Sequence, residues 1–278
     1  MRRFLVIIGL LLPLGHAFAQ PATSLADLRW SAAETKEGRF VVVPGEQAFV
    51  GGYSTPGLEV WTYPLQLVHG YWVSFRAEGD TSEIDGRSTL RSVEHTPIAA
   101  TRVYTGPDFT VRERIFVPIT RPAAAITYAV DSRKPILITV HFTPSLNLMW
   151  PGAVGGQEMR WDATHSAYTF DEPSRRFRGA IVSRQIVAHE QIQNNRRDAE
   201  LERSIAFTMR AAPGPSGGAT VAFAGASVPD ENPLIVASNL MAQAGADEAL
   251  AHDRYAGQSV IDVETPDSTV NRALRWAE

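Results

Sequence analysis

The 278-residue chain contains no cysteine. Disulfides, zinc–thiolate centres and a cysteine nucleophile are therefore out of reach. A basic excess is missing too: 26 Lys and Arg stand against 30 Asp and Glu, a net charge of −4. Nucleic-acid surfaces need surplus cations to displace counterions from phosphates, so the balance argues against that class of partner. Beyond the N-terminal segment no apolar run is long enough to span a bilayer. There is no Gly-x-Ser-x-Gly elbow and no phosphate loop, and His189-Glu190 meets Gln193 where a zincin helix needs its second histidine. The remaining histidines lack ligand spacing, so neither a metal nor a cofactor is expected.

What is present begins with a leader pattern. Met1-Arg2-Arg3 is a short basic region, residues 4–14 are apolar apart from Gly9 and Pro13, and Ala17-Phe18-Ala19 supplies a small-x-small cleavage site. Residues 1–19 read as a secretory signal peptide with Gln20 as the first mature residue. The run is too short for a comfortable span, although an uncleaved anchor is the alternative reading. The mature protein is expected to be exported, periplasmic or extracellular.

Residues 38–223 read as strands. Runs at 39–43, 47–53, 58–61, 67–76, 98–104, 109–117, 123–131, 135–142, 159–161, 167–170, 178–183, 203–211 and 220–224 are apolar, alternating or β-branched, and Gly and Pro turns separate them. Thr105-Gly106-Pro107-Asp108 joins two of them as a hairpin, and Ser132-Arg133-Lys134 is expected to join another pair. Around residues 111–115, Arg112, Glu113 and Arg114 are expected to lie on a wet face. Many short strands at near-regular spacing predict a mainly β fold, a large antiparallel β-sandwich (a supersandwich) over residues 30–230.

One stretch concentrates the chemistry. Residues 51–69 bring together Gly51-Gly52, read as a turn, the turn Pro56-Gly57, and the strand that carries Glu59, Trp61 and Tyr63. Strand alternation puts Leu58, Val60 and Thr62 on one face and Glu59, Trp61 and Tyr63 on the other. Aromatic faces stack on the C–H faces of a pyranose, and carboxylates accept from its hydroxyls, so these three are candidate carbohydrate contacts. The competing reading is that Trp61 and Tyr63 fill the core between the sheets. Trp150, in Trp150-Pro151-Gly152 at the mouth of a glycine-bearing loop, is a fourth candidate; it could equally serve packing.

After Pro229-Asp230-Glu231-Asn232-Pro233 the pattern turns helical. Residues 231–264 read as a helical linker, with Gly245 weakening its middle, and residues 265–278 open a second helix. Asp267 or Ser268 is its N-cap, and Val270, Ala273, Leu274 and Ala277 form an apolar stripe. The helix carries no stop signal, which reads as a severed helical domain; a short helix docking back on the sandwich is the alternative.

The run Gly57-Leu58-Glu59-Val60-Trp61-Thr62-Tyr63-Pro64-Leu65-Gln66-Leu67-Val68-His69 resembles the N-terminal part of bacterial amylo-α-1,6-glucosidase (glycogen-debranching-like) proteins of the six-hairpin glycosidase superfamily. Thr265-Pro266-Asp267-Ser268-Thr269-Val270-Asn271-Arg272-Ala273-Leu274-Arg275-Trp276-Ala277 resembles the first helix of their catalytic α/α barrel. The resemblance implies a large sandwich, then a linker helix, then a barrel bearing the acid and base carboxylates. On that reading the chain is the non-catalytic N-terminal fragment of an exported hydrolase of α-glucans or oligosaccharides. Its partners are a carbohydrate substrate and the missing barrel, and it holds no catalytic residue itself.

A glycosidase needs two carboxylates about 5–9.5 Å apart. Glu59, Asp80, Glu83, Asp85, Glu94 and Asp108 are the loop or strand-end candidates, each read first as a solvated turn residue. The segment from Asp80 to Gly86 does not fit the calcium-loop spacing and reads as a turn. A self-sufficient carbohydrate-binding sandwich and a purely structural sandwich remain the rival classes.

Overall fold

The computed structural model describes residues 28–148, 158–172, 174, 176–190, 204–228, 230–257 and 265–277. The expected signal peptide and the Trp150 loop lie outside them. The chain opens with β1 (Trp30–Ala33), β2 (Phe40–Pro44), β3 (Ala48–Tyr53), β4 (Gly57–Thr62), β5 (Leu65–Ala77), β6 (Ile84–Asp85) and one helical turn, α1 (Gly86–Thr89). It continues through β7 (Leu90–Thr96), β8 (Ala99–Thr105), β9 (Phe109–Phe116), β10 (Ala123–Ser132) and β11 (Ile136–Leu148). Then come β12 (Glu158–Asp162), β13 (Ala167–Asp171), β14 (Arg178–Val182), β15 (Ile186–His189), β16 (Ile205–Ala211) and β17 (Ala219–Ala226). Two helices follow, α2 (Pro233–Gly257) and α3 (Ser268–Ala277).

The strands form two antiparallel sheets. The first has nine strands in the order β1-β7-β8-β9-β10-β17-β14-β13-β12. The second has eight, β15-β16-β11-β5-β4-β3-β2, with β6 pairing the part of β5 that β4 leaves free. Period-2 alternation sends one set of side chains inward from each sheet. Val41, Val50, Leu58, Val60 and Phe75 of the eight-stranded sheet meet Tyr104, Val111, Ile126, Tyr128 and Phe223 of the nine-stranded one. The sheets approach closely at Gly225, where an added Cβ would lie 1.9 Å from Thr62 Oγ1 on the opposite sheet.

The outer faces of the sheets differ. That of the nine-stranded sheet is covered by α2: Ala237, Leu240 and Ala251 pack on Ala123, Ala125, Ala180, Ala222 and Ala224. Small side chains on the sheet let the helix axis come close. The Asn232 side chain accepts from Leu234 N at 3.0 Å and caps α2, whose far half is pinned by polar pairs. Arg121 reaches Asp247 at 3.3 Å and Gln243 at 2.7 Å, Arg114 pairs with Glu248, and Arg254 pairs with Glu46 at 3.0 Å. The helix runs unbroken through Gly245. Asp267 caps α3, accepting from Thr269 N at 2.8 Å, as its position before the apolar stripe predicts. Among the described residues no helix is long and apolar enough to cross a membrane.

Three local expectations are corrected. Gly51 and Gly52 lie within β3 rather than in a turn, because the reversal falls on Ser54, Thr55 and Pro56. The strands on either side of Ser132-Arg133-Lys134 do not pair: β10 pairs with β9 and β17, whereas β11 pairs with β5 and β16. That connection carries the chain from one sheet to the other. Glu113 is fully buried beside Val111 and Ile115, and only Arg112 and Arg114 face outward. Strand alternation demands that separation; an inward cation, Arg102, makes it tolerable.

Candidate functional site

The outer face of the eight-stranded sheet carries the candidate residues; among the described residues the long helix α2 packs on the other sheet. Its outward positions at the β2 edge form three cross-strand rows set by register. Phe40 of β2 stands beside Tyr53 of β3, which pairs with Gly57 of β4. Val42 stands beside Gly51 and then Glu59; Pro44 stands beside Phe49 and then Trp61. Phe40 is 57% exposed and Tyr53 52%, and their rings meet edge to face at 5.6 Å.

Glu59, Trp61 and Tyr63 come together here. The Trp61 indole N–H donates to Glu59 Oε2 at 2.7 Å. The Trp61 ring stacks on Phe49 at 5.9 Å and 9°, and Tyr63 tilts against Phe49 at 5.9 Å. Tyr63 is 38% exposed, and what burial it has raises its phenol pKa. Trp61 and Tyr63 therefore lie outside the core, which overturns the packing reading of both. Gly51 is the exception among the outward positions, since it is buried: the Phe49 ring lies over it, and a Cβ there would meet Phe49 Cε2 at 3.0 Å. Trp150 lies outside the described residues.

A second cluster sits further along β5 and β11. Trp72 stacks on its cross-strand neighbour His141 at 3.9 Å and 8°, and the Arg87 guanidinium lies 4.0 Å from the Trp72 ring centre. Two groups that close to one ring centre cannot share a face, so both faces of Trp72 are taken. Ser74 Oγ donates to Glu83 Oε1 at 2.6 Å and lies 2.8 Å from His141 Nε2. The residue types invite comparison with a nucleophile, base and acid, but the wiring differs. The carboxylate holds the hydroxyl instead of orienting the imidazole, and Ser74 is only 3% exposed. The cluster fastens β6 across β5 and β11.

Its electrostatics agree with a clamp. Burial lowers the His141 pKa, opposed by the Glu83 charge. Burial would raise Glu83, but bonds from Ser74 and Thr139 bring it below the usual carboxylate value. The Arg87 side chain holds Asp85 low, in a pair as close as 2.6 Å.

The other carboxylate candidates are dispersed. Asp80 pairs with Lys134 at 3.2 Å, Glu94 with Arg29 at 2.6 Å and Arg112 at 3.6 Å, and Asp108 sits in the β8–β9 turn. Among the described residues no cluster of metal-ligating side chains occurs. Phe40, Phe49 and Tyr53 were not singled out from sequence. Period-2 counting through the two strands before Pro56 could have placed them beside Glu59 and Trp61, once the hairpin register was known.

No protein-family model matches the chain, and no curated protein matches it. Solved structures do. A bacterial glucoamylase complexed with acarbose superposes over 90% of this chain and 42% of its own, at 9% identity and a TM-score of 0.57. A human-microbiome protein assigned as a kojibiose phosphorylase covers 84% of this chain and 38% of its own, at 8% identity and a TM-score of 0.49. A family GH92 α-mannosidase from Bacteroides thetaiotaomicron covers 89% and 36%, at 10% identity and 0.42. The chain spans less than half the length of each. At 9% identity the likeness to the glucoamylase concerns the fold: the sandwich implied by the sequence resemblance is the sandwich found.

Proposed function

We propose that this chain is the sandwich portion of a longer exported glycoside hydrolase acting on α-glucans or oligosaccharides. Residues 30–230 form the sandwich, 231–264 the helical linker and 265–278 the first helix of an α/α barrel, after removal of residues 1–19. The observation that carries the reading is the superposition of 90% of this chain on 42% of a bacterial glucoamylase. The apolar stripe of α3 supports it, with Val270 43% and Leu274 38% exposed, as on a helix made to meet other helices. In this account the sandwich buttresses the barrel, and the acid and base carboxylates belong to the barrel. The test compares maltooligosaccharide hydrolysis by the 278-residue chain with hydrolysis by the protein that includes its native downstream sequence. Activity is expected in the second alone.

A stand-alone carbohydrate-binding sandwich is the second reading. The solvent-facing Glu59, Trp61 and Tyr63 favour it. It predicts saturable glucan binding by the 278-residue chain without any hydrolysis by a longer one.

A further inference from the structure

The corner of the eight-stranded sheet formed by β2, β3 and β4 has the makings of a ligand platform. Two aromatic groups rise from it, Phe40 with Tyr53 and Phe49 with Trp61 and Tyr63. They are four residues apart along β3, from Phe49 to Tyr53, which is about 13 Å at ~3.3 Å per residue. Between them lie Val42, Gly51 and Glu59, the middle row of the register. A side chain at Gly51 would run into Phe49 and the backbone of β2, so the middle of the platform stays low.

We infer that this corner binds a neutral, linear oligosaccharide laid across the two aromatic groups, a site that rests on the glycoside-hydrolase reading and adds a ligand surface to it. Charge argues for the occupant. The nine register positions hold no Lys or Arg, and Glu59 is their one ionisable carboxylate. A phosphate, an anionic lipid surface or an acidic peptide finds no counter-charge there, whereas a polyhydroxylated neutral chain needs none. The polar groups suit hydroxyls. Glu59 is held by Trp61 through one oxygen, and no protein partner is found among the described residues for the hydroxyls of Tyr53 and Tyr63. Trp61 differs from Trp72 in the way that matters: no second ring or cation covers its other face among the described residues. A spacing of two aromatic groups, in place of one ring, selects an extended ligand over a monosaccharide.

The experiment is calorimetric titration of the 278-residue chain with maltoheptaose, and with glucose as the short probe. Trp61→Ala and Tyr53→Ala are compared with Val187→Ala, a change at an exposed position on β15. Binding of maltoheptaose, with about tenfold loss in each aromatic variant and none in Val187→Ala, is the expected result. Circular dichroism melts of the same variants check that the sandwich is intact. Glu59→Gln, which keeps the side chain's shape, is a second variant and is expected to weaken binding while leaving the melt unchanged. The inference is overturned by maltoheptaose binding equal in wild type and both folded aromatic variants, by no binding at all, or by glucose binding as tightly as maltoheptaose. Hydrolysis by the longer protein with platform-independent binding sinks the platform and leaves the hydrolase reading standing. Aromatic-dependent binding without hydrolysis does the reverse.

Discussion

Arg102 and Glu113 stand opposite each other in the β8–β9 ladder and are both sealed between the two sheets. The pair is wired into its surroundings. Arg102 Nη1 donates to Ser54 O at 2.9 Å, Tyr104 donates to Glu113 at 3.0 Å, and Tyr128 donates to its other oxygen at 2.8 Å. Burial penalises the Arg102 charge, yet Glu113 beside it, with Tyr104, raises the guanidinium above its usual value. Removing one partner strands the other in the core. Arg102→Met is expected to cost about 3–5 kcal/mol of unfolding free energy in urea titrations, and Glu113→Leu a similar amount. The double variant should lose less than the sum, because no lone charge remains. Additive losses would mean that the pair is not coupled.

The second prediction concerns the narrow gap between the sheets. Gly225→Ala pushes a methyl into Thr62 Oγ1 and should destabilise the fold by about 1–3 kcal/mol, the scale of overpacking. Combining it with Thr62→Ser, which keeps the hydroxyl, should leave most of the penalty, whereas Thr62→Gly should relieve the clash. Thermal melts of the three proteins decide.

A third follows from Asp85 and Glu172. A side-chain bond from Arg87 holds Asp85 below the usual carboxylate value. Burial would raise Glu172, but bonds from Ser174 and the backbone N–H groups of Phe177 and Arg176 lower it on balance. Both groups titrate lower when folded than when unfolded. Their contribution is complete above the ordinary carboxylate value of about 4 and is lost as pH falls through the folded values. Melting temperature should therefore drop on acidification below about pH 4, and the drop should be shallower in Asp85→Asn. An identical acid limb in that variant would contradict the assignment.

A fourth uses the absence of cysteine. Leu274→Cys gives the 278-residue chain a single thiol on the exposed stripe of α3. It should react with a maleimide nearly as fast as a free thiol. Slow labelling would show that the stripe is already covered within this chain.

Much of this architecture was legible in the sequence, and the exceptions have physical causes. Strong runs such as Phe40 to Val43 or Phe109 to Phe116 announce themselves by β-branched and alternating residues. β7 was missed because a register shift between Leu90 and Ser92 breaks the period-2 pattern, leaving Leu90, Val93 and His95 as its buried positions. β15 escapes sequence reading because its four residues, Ile186–His189, are too few to show a period and a register shift interrupts their pairing with β16. Glu59, Trp61 and Tyr63 were found because alternation within one strand suffices to group them. Phe40, Phe49 and Tyr53 join them only through cross-strand register, which no single run encodes. Glu113 defied its charge because its partner Arg102 comes from another strand.

The proposed role of the sandwich is to serve a catalytic barrel. Its most direct test is the rate of glucose release from maltooligosaccharides by the purified 278-residue chain and by the protein carrying its native downstream sequence. The prediction is no turnover by the first and clear turnover by the second. Steady release of glucose by the 278-residue chain, or none by the longer protein, would contradict it.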